Sequence, residues 1–304
     1  MKKILLVGDQ PGWIFDRHCQ EIKKRLPEFK IDIVFRRFNI KKVENDYDLI
    51  YVLDPIPLKY GYPSKHKTII GLRCEFLYLE HPLGAKGLYE NGWPGRCASI
   101  KDKCKIFHVV NRNQMDIFSD IVVDKSLVLA QHGVDETIFN RTKYNKQPSD
   151  VLRVSTSGRG SRNKGFGIVS RACSELGIHN ISAEYGNRKF SKEQMPEFYN
   201  NADVHVCMSK TEGLNNPIME AGAMGLPVIS TRCGAAEEMI EDGVNGFLIN
   251  RDVDSLKEAL IKMKDYNLRA NMADRFYEEI MTNWTWKVRI EDFRKMFNLF
   301  FTYV

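Results

Sequence analysis

The chain has 304 residues, a formal net charge of +6, and is 43% hydrophobic and 11% aromatic. Such a length exceeds one ordinary hydrophobic core and points to two domains, while the lack of any run of about 18 apolar residues argues against a transmembrane helix. Seven cysteines without a C-x-x-C pair suit reduced thiols in a cytoplasmic protein, and seven histidines show no metal-ligand spacing.

The elements alternate along the chain. The apolar run Ile4–Val7 is too short for the core of a signal peptide and reads as a first buried strand. Further β-rich runs are expected at Ile31–Phe35, Leu49–Leu53, Thr68–Leu72 and Ile106–Val110, with helices at Ile14–Leu26 and Gln114–Ile121. The polar stretch Thr142–Asp150 contains Pro148 and reads as an interdomain linker. Beyond it come strands at Leu152–Thr156, Ile181–Tyr185, Val204–Met208, Val228–Thr231 and Phe247–Ile249. Helical segments at Phe166–Leu176, Met195–Asn200 and Pro217–Met224 separate them. Strands alternating with helices imply parallel sheets covered on both faces, with ligands at the carboxyl ends of the strands.

The first strand ends in Gly8-Asp9-Gln10-Pro11-Gly12-Trp13. Gly12 would let backbone approach a phosphate or sugar, and Trp13 would stack on a ring. A turn with a partly buried tryptophan explains the same residues. The segment Gly84–Gly95 reads as a mobile acceptor loop or as a surface connection.

The second half carries the stronger signals. In VSTSGRGSRNKGF (154–166), Gly158-Arg159 and Lys164-Gly165 flank a tight turn between a strand and a helix. An arginine fork and a mobile lysine charge, five residues apart, can reach one diphosphate. In SKTEGLNNPIMEAGAMGLPV (209–228), Glu212 stands in a loop and Glu220 in the helix that follows. Gly213, Leu214, Asn215 and Asn216 open that helix, where unpaired N–H groups and the helix dipole suit an anion. A phosphate at the helix start with hydroxyls at two carboxylates describes a nucleotide sugar. A glycosidase acid–base pair fits less well, because the spacing aims both carboxylates along one ligand rather than across a bond.

These motifs resemble the E-x7-E region and the G-R-x-x-x-x-K-G loop of retaining glycosyltransferases of the family 4 type. Glu212-Gly213, Glu220-Ala221, Gly225-Leu226-Pro227-Val228, Gly234, Glu237-Glu238 and Asp242-Gly243-Val244-Asn245-Gly246 follow that pattern in order. Gln131-His132-Gly133-Val134-Asp135 with Phe139 resembles the linker motif of the family, with His132 in place of Asn. Asn283-Trp284-Thr285-Trp286 resembles the segment before its closing helix. The likeness runs from about residue 105 onward; residues 1–104 match in architecture alone.

The resemblance implies the GT-B fold: two Rossmann-like, doubly wound α/β domains facing a cleft, the N-terminal one compact. Expected domains are 1–147 for the acceptor and 148–285 for the donor, with a helix at about 286–304 packing back on the first. It further implies transfer with retention from a UDP-, GDP- or ADP-sugar. Arg159 and Lys164 would neutralise the leaving diphosphate, Glu212 would hold sugar hydroxyls and Glu220 the ribose. Gly158 and residues 213–216 would line the phosphates, with Gly12 opposite. Tyr185-Gly186-Asn187-Arg188-Lys189 would border the nucleobase. No cofactor and no metal is expected, because arginine and lysine already supply positive charge.

One departure concerns the histidine that the family often carries after the fourth strand. Here Arg73-Cys74-Glu75 follows that strand. His81 is the candidate catalytic residue, with Arg73 and Glu75 as alternatives.

Charge adds an expectation about the acceptor. Residues 1–147 hold 25 Lys and Arg against 18 Asp and Glu, a net +7, with clusters at Lys23-Lys24-Arg25, Arg36-Arg37 and Lys41-Lys42. A basic acceptor domain favours an anionic acceptor. A glycan or lipid-linked glycan reached by peripheral membrane contact is the first expectation. A modified base in DNA is the second, and a solvated face with no partner is the bland alternative. Readings from other classes are a sugar-nucleotide epimerase and a non-catalytic nucleotide-sugar or glycan-binding protein on the same scaffold.

Overall fold

The computed structural model describes residues 1–54, 58–73, 89–90, 93–94, 100, 102–119, 126–144, 151–159, 162–185 and 190–302. The chain divides into two compact units. One comprises Met1–His132 with Arg289–Val304, and the other Gly133–Val288.

The first unit is built on six parallel strands. They are β1 (Lys3–Gly8), β2 (Lys30–Phe35), β3 (Leu49–Val52), β4 (Thr68–Leu72), β7 (Ile106–Val109) and β8 (Ser126–Leu129). Their order is β2-β1-β3-β4-β7-β8. Two short strands, β5 (Tyr89–Glu90) and β6 (Trp93–Pro94), pair separately and antiparallel. The central strands are continuous apolar runs because both of their faces are covered. Ile4 to Val7, Leu49 to Val52 and Ile69–Ile70 are all fully buried. Ile4 stands opposite Ile31 on one side and Leu49 on the other. Helix α1 (Ile14–Arg25) has Asp16 in its first turn and Lys23, Lys24 and Arg25 in its last. Both placements oppose the helix dipole. Helix α2 (Arg112–Ser119) follows β7.

The second unit has five parallel strands: β9 (Arg153–Arg159), β10 (His179–Tyr185), β11 (Val204–Cys207), β12 (Val228–Thr231) and β13 (Gly246–Ile249). Their order is β10-β9-β11-β12-β13. Helices α3 (Phe166–Leu176), α4 (Met195–Asn200), α5 (Asn216–Ala223), α6 (Ala236–Met239), α7 (Val253–Lys262) and α8 (Tyr266–Asn283) alternate with them. After β9 the chain crosses to β10 on one side and returns to β11 on the other. The switch point therefore lies between the carboxyl ends of β9 and β11, where an open α/β sheet leaves a crevice for a ligand.

Two motif segments meet in this unit. Val134 donates to the Trp284 carbonyl at 2.8 Å, and Trp286 donates to the Val134 carbonyl at 3.0 Å. A side chain on Gly133 would stand 2.1 Å from the Thr285 carbonyl carbon, so only glycine allows the approach.

The last helix, α9 (Trp286–Thr302), begins in the second unit and continues in the first. There Phe293, Phe297 and Phe300 are fully buried. Tyr51 lies 5.9 Å from the Phe297 ring, and Arg294 pairs with Glu28.

The alternating α/β pattern matches the sequence reading. Two details differ. Residues 133–144, expected with the first domain, cluster with the second unit. Ser126–Leu129 forms a sixth strand that the sequence reading omits. It lies at the sheet edge with all four residues half-buried, so it lacks the fully apolar signature of its neighbours.

Candidate active site

The loops after β9 and β11 are tied together. Asn163 donates through Nδ2 to the Thr211 carbonyl at 3.0 Å and accepts from the Thr211 N–H at 3.2 Å. Its own carbonyl receives Lys210 N–H at 2.8 Å. Arg251 closes the junction, donating to the Met208 carbonyl at 2.9 Å. Gly165 adopts φ 68° between this turn and α3, and a Cβ there would lie 2.4 Å from the Met208 carbonyl oxygen. Left-handed backbone and close approach both require glycine.

This junction presents Lys164 to Glu212. The ammonium donates to Glu212 Oε1, and the two side chains are only 20% and 14% exposed. Burial, the largest single influence, would lower the Lys164 pKa, but the Glu212 charge and hydrogen bond together with the nearby Cys207 and Cys233 sulfurs outweigh it and the value is raised. Lysine is therefore charged throughout the neutral range. The stability linked to this raised lysine value is complete at neutral pH and is lost only as pH climbs through the raised value.

Glu212 and Gly213 are held from the other side by the turn after β12. Ala235 donates to the Gly213 carbonyl at 3.1 Å. Gly234, at φ 56°, comes so close that a Cβ would stand 2.2 Å from the same oxygen. Asn215 caps α5 without a side-chain hydrogen bond to the helix; its Nδ2 turns inward to Cys207 Sγ at 2.9 Å. Leu214 and Asn215 are buried, and Asn216 is half-buried at the helix start.

Glu220 lies one turn into α5. Tyr199, fully buried on α4, donates its hydroxyl to Glu220 Oε2 at 2.9 Å. The same hydroxyl stands 3.3 Å from Ser157 Oγ. Ser157 immediately precedes Gly158 and Arg159, so one hydrogen-bonded chain links the end of β9 to the carboxylate on α5. Nearby His205 is buried and its pKa falls to about 3, first by desolvation and then by the Lys164 charge. It is a neutral core residue, bonded to Ser155 Oγ at 3.1 Å.

The structure thus brings Lys164, Glu212, Gly213, Leu214, Asn215, Asn216 and Glu220 together with Gly158 at the switch point of one sheet. Arg159 ends β9, but its side chain lies outside the described residues, as do residues 186–189. Sequence reasoning missed Asn163, Ser157, Tyr199 and Cys207. None carries a motif; each acts through a long-range contact. Among the described residues, no group of three or more His, Cys, Asp or Glu could hold a metal ion.

Candidates in the first unit are placed separately. Gly12 is exposed at φ 76°, and its N–H donates to Asp16 Oδ2 at 2.7 Å. Trp13 is 41% exposed. His81 and Glu75 lie outside the described residues, as does most of 84–95. Arg73 is buried beside His132, with Nη2 donating to Nδ1 at 2.8 Å, and that ring stacks on His18 at 4.1 Å. Since guanidinium can only donate, His132 accepts at Nδ1. His132 departs from Asn in the linker motif, which was the one signal that it could have a partner of its own.

Residues 150–265, which include every donor-site candidate above except Gly12, match the family model of Glycosyl transferases group 1. This segment is similar to a group 1 glycosyltransferase domain. A GDP-mannose-dependent α-(1-6)-phosphatidylinositol monomannoside mannosyltransferase of Mycolicibacterium smegmatis is 30% identical over 180 residues, covering 56% of this chain and 45% of that protein. The chain spans less than half the length of the curated relatives it matches. Among solved structures, a sucrose-phosphate synthase from Thermosynechococcus elongatus aligns over 100% of both chains with TM-score 0.78 at 13% identity. Anabaena HepE in complex with UDP-glucose covers 98% of this chain and 100% of its own, with TM-score 0.72 at 15% identity. At such identities the likeness establishes the fold, GT-B, for the glycosyltransferase domain and the unit before it.

Proposed function

We propose that the protein is a retaining glycosyltransferase that moves a sugar from a nucleoside diphosphate sugar to a glycan or lipid-linked glycan. The observation that carries this reading is the half-buried Lys164–Glu212 pair at the switch point, with Glu220 one turn into the adjoining helix. A leaving diphosphate gathers negative charge as the glycosyl bond breaks. Lys164, Arg159 and the backbone of 214–216 meet that charge without reorganising. Glu212 then accepts from sugar hydroxyls and Glu220 from the ribose. HepE, which shares the fold, was solved with UDP-glucose. The mannosyltransferase relative uses GDP-mannose by its name, so the nucleotide is open between these bases.

A thermal-shift screen across UDP, GDP, ADP and their sugars tests the donor reading. One nucleoside diphosphate should raise the melting temperature, and its sugar should be turned over slowly to free nucleotide. Binding without turnover would make the chain a binding protein on this scaffold. No shift with any of the three would refute the donor site.

The acceptor reading rests on the first unit. Arg36 donates to the Gly8 carbonyl at 3.2 Å and Lys59 to the Arg36 carbonyl at 3.1 Å, so three loops adjoin at the carboxyl ends of β1 and β2. They expose Trp13, Phe38 and Tyr60, at 41%, 43% and 42%, among Arg37, Lys41, Lys42 and Lys59. Exposed aromatics among basic residues suit the interface of an anionic membrane. No helix among the described residues is long and apolar enough to cross one. Vesicles with anionic lipid should bind the protein at low salt and release it as salt rises. Binding to duplex DNA instead would move the acceptor to a nucleic acid. Binding to neither would leave a neutral soluble acceptor.

A further inference from the structure

Three basic side chains meet at the carboxyl ends of β4 and β8. Arg73 follows β4, His132 lies just beyond β8, and His18 sits on α1. All three are buried, with only 6%, 3% and 4% of their surfaces exposed. Arg73 Nη2 donates to His132 Nδ1 at 2.8 Å. The His132 ring lies 4.1 Å from the His18 ring, tilted by 41°. The guanidinium also lies over Phe15 of α1, 5.4 Å from its ring centre. One imidazole thus joins the end of β4 to the last residue of the first unit and touches α1. A guanidinium has no lone pair to offer, so Nδ1 must keep its own. His132 is therefore neutral, with its proton on Nε2.

We infer that this cluster is a proton-sensitive latch of the first unit, closed while His132 Nδ1 is bare and opened when that nitrogen takes a proton. Protonation turns the acceptor into a donor aimed at another donor. It also sets two like charges a hydrogen bond apart where water cannot solvate either of them. The bond must then break, which releases Arg73 at the end of β4 and the ring that His18 packs against.

The surrounding charges favour the closed form. Among the described residues they are Asp9 after β1, Asp16 and Cys19 on α1, Tyr51 and Asp54 at β3, His108 on β7, and Arg289 and Asp292 on α9. Carboxylates would welcome a second cation, but most are committed. Asp9 accepts from Gln10 N–H at 2.8 Å and Asp16 from Gly12 N–H at 2.7 Å. Asp292 accepts from Gln131 N–H at 3.3 Å and pairs with Arg289 at 3.5 Å. At the Tyr51 hydroxyl burial dominates, and after it the Arg73 charge outweighs that of Asp54. His108 falls to about 3, by burial first and then by the same arginine charge, so it takes no proton near neutrality. The acid response of the cluster therefore belongs to His132, with His18 the competing site. An unfolded chain accepts the proton near the ordinary histidine value of about 6.5, whereas the closed latch resists it. The unfolded state thus binds more protons as pH falls. Stability from the latch is complete above about pH 6.5 and declines below it.

The latch lies in the unit that the acceptor reading uses, yet its test needs neither donor nor acceptor. In nitrogen-15 NMR at about pH 8, His132 should carry its proton on Nε2 alone. Between about pH 8 and pH 5.5 the melting temperature should fall by about 3 °C or more. His132→Asn supplies an amide oxygen that accepts from Arg73 at either pH, so it should lose less than half as much. His132→Gln gives the same comparison if asparagine folds poorly. His18→Phe keeps a stacked ring and leaves Nδ1 of His132 in place, so it should retain the wild-type loss. Amide exchange, corrected for its intrinsic pH dependence, should quicken at low pH in α1 and at the end of β4, and not in β9. Equal losses in wild type and His132→Asn, a loss abolished instead by His18→Phe, or a His132 ring protonated on Nδ1 at pH 8 would each overturn the inference.

Discussion

Lys164→Ala should weaken binding of the cognate nucleoside diphosphate by about 1.5–3 kcal/mol, or roughly ten- to 150-fold. The ammonium faces Glu212 at the switch point of the second unit's sheet. A diphosphate arriving there takes a charge-assisted hydrogen bond from a donor that is already desolvated, so little reorganisation opposes it. The variant should also melt earlier, because Glu212 is left mostly buried without its counter-charge. Glu212→Gln separates the two effects. It removes no positive charge, so affinity for the free nucleoside diphosphate should persist while turnover of the nucleotide sugar falls. Isothermal titration with the diphosphate and with its sugar reads both. Lys164→Ala binding the diphosphate as tightly as wild type would remove this lysine from the site.

Much of this site is legible in the sequence because its residues lie on two short motifs. Gly158 and Lys164 flank one loop; Glu212 through Glu220 occupy the next. The glycines are informative for a physical reason: Gly165 and Gly234 stand at positive φ within contact of another loop's backbone, so no other residue fits. The parallel sheets are equally legible, since strands covered on both faces are written as unbroken apolar runs. What the motifs do not convey is support. Asn163, Arg251 and Tyr199 are ordinary polar or aromatic residues whose roles depend on chain segments some 20 to 50 residues away. The Arg73–His132–His18 cluster is hidden for the same reason. Tyr199 in particular reads as core: it is fully buried, and its ring packs against Phe139, Phe198 and His205.

That tyrosine gives the second large expectation. Glu220→Gln should slow transfer and lower nucleotide affinity by about 1.5–3 kcal/mol, the worth of a hydrogen bond to a charged acceptor. The fold should persist, because an amide occupies the same space and its oxygen still accepts from the Tyr199 hydroxyl. Tyr199→Phe keeps the ring and removes only that donor, so it tests whether the carboxylate must be held in place to work. Its loss should be smaller and should fall on the ribose. Affinity for the nucleoside diphosphate should drop severalfold, while affinity for the 2′,3′-dideoxy analogue should be unchanged. In a double-mutant cycle the two losses should not add, since both act through one contact to the sugar. Equal losses for the ribose and dideoxy ligands would reduce Tyr199 to a packing residue. Wild-type kinetics in Glu220→Gln would remove that carboxylate from donor recognition and leave Lys164 and Glu212 to account for the site.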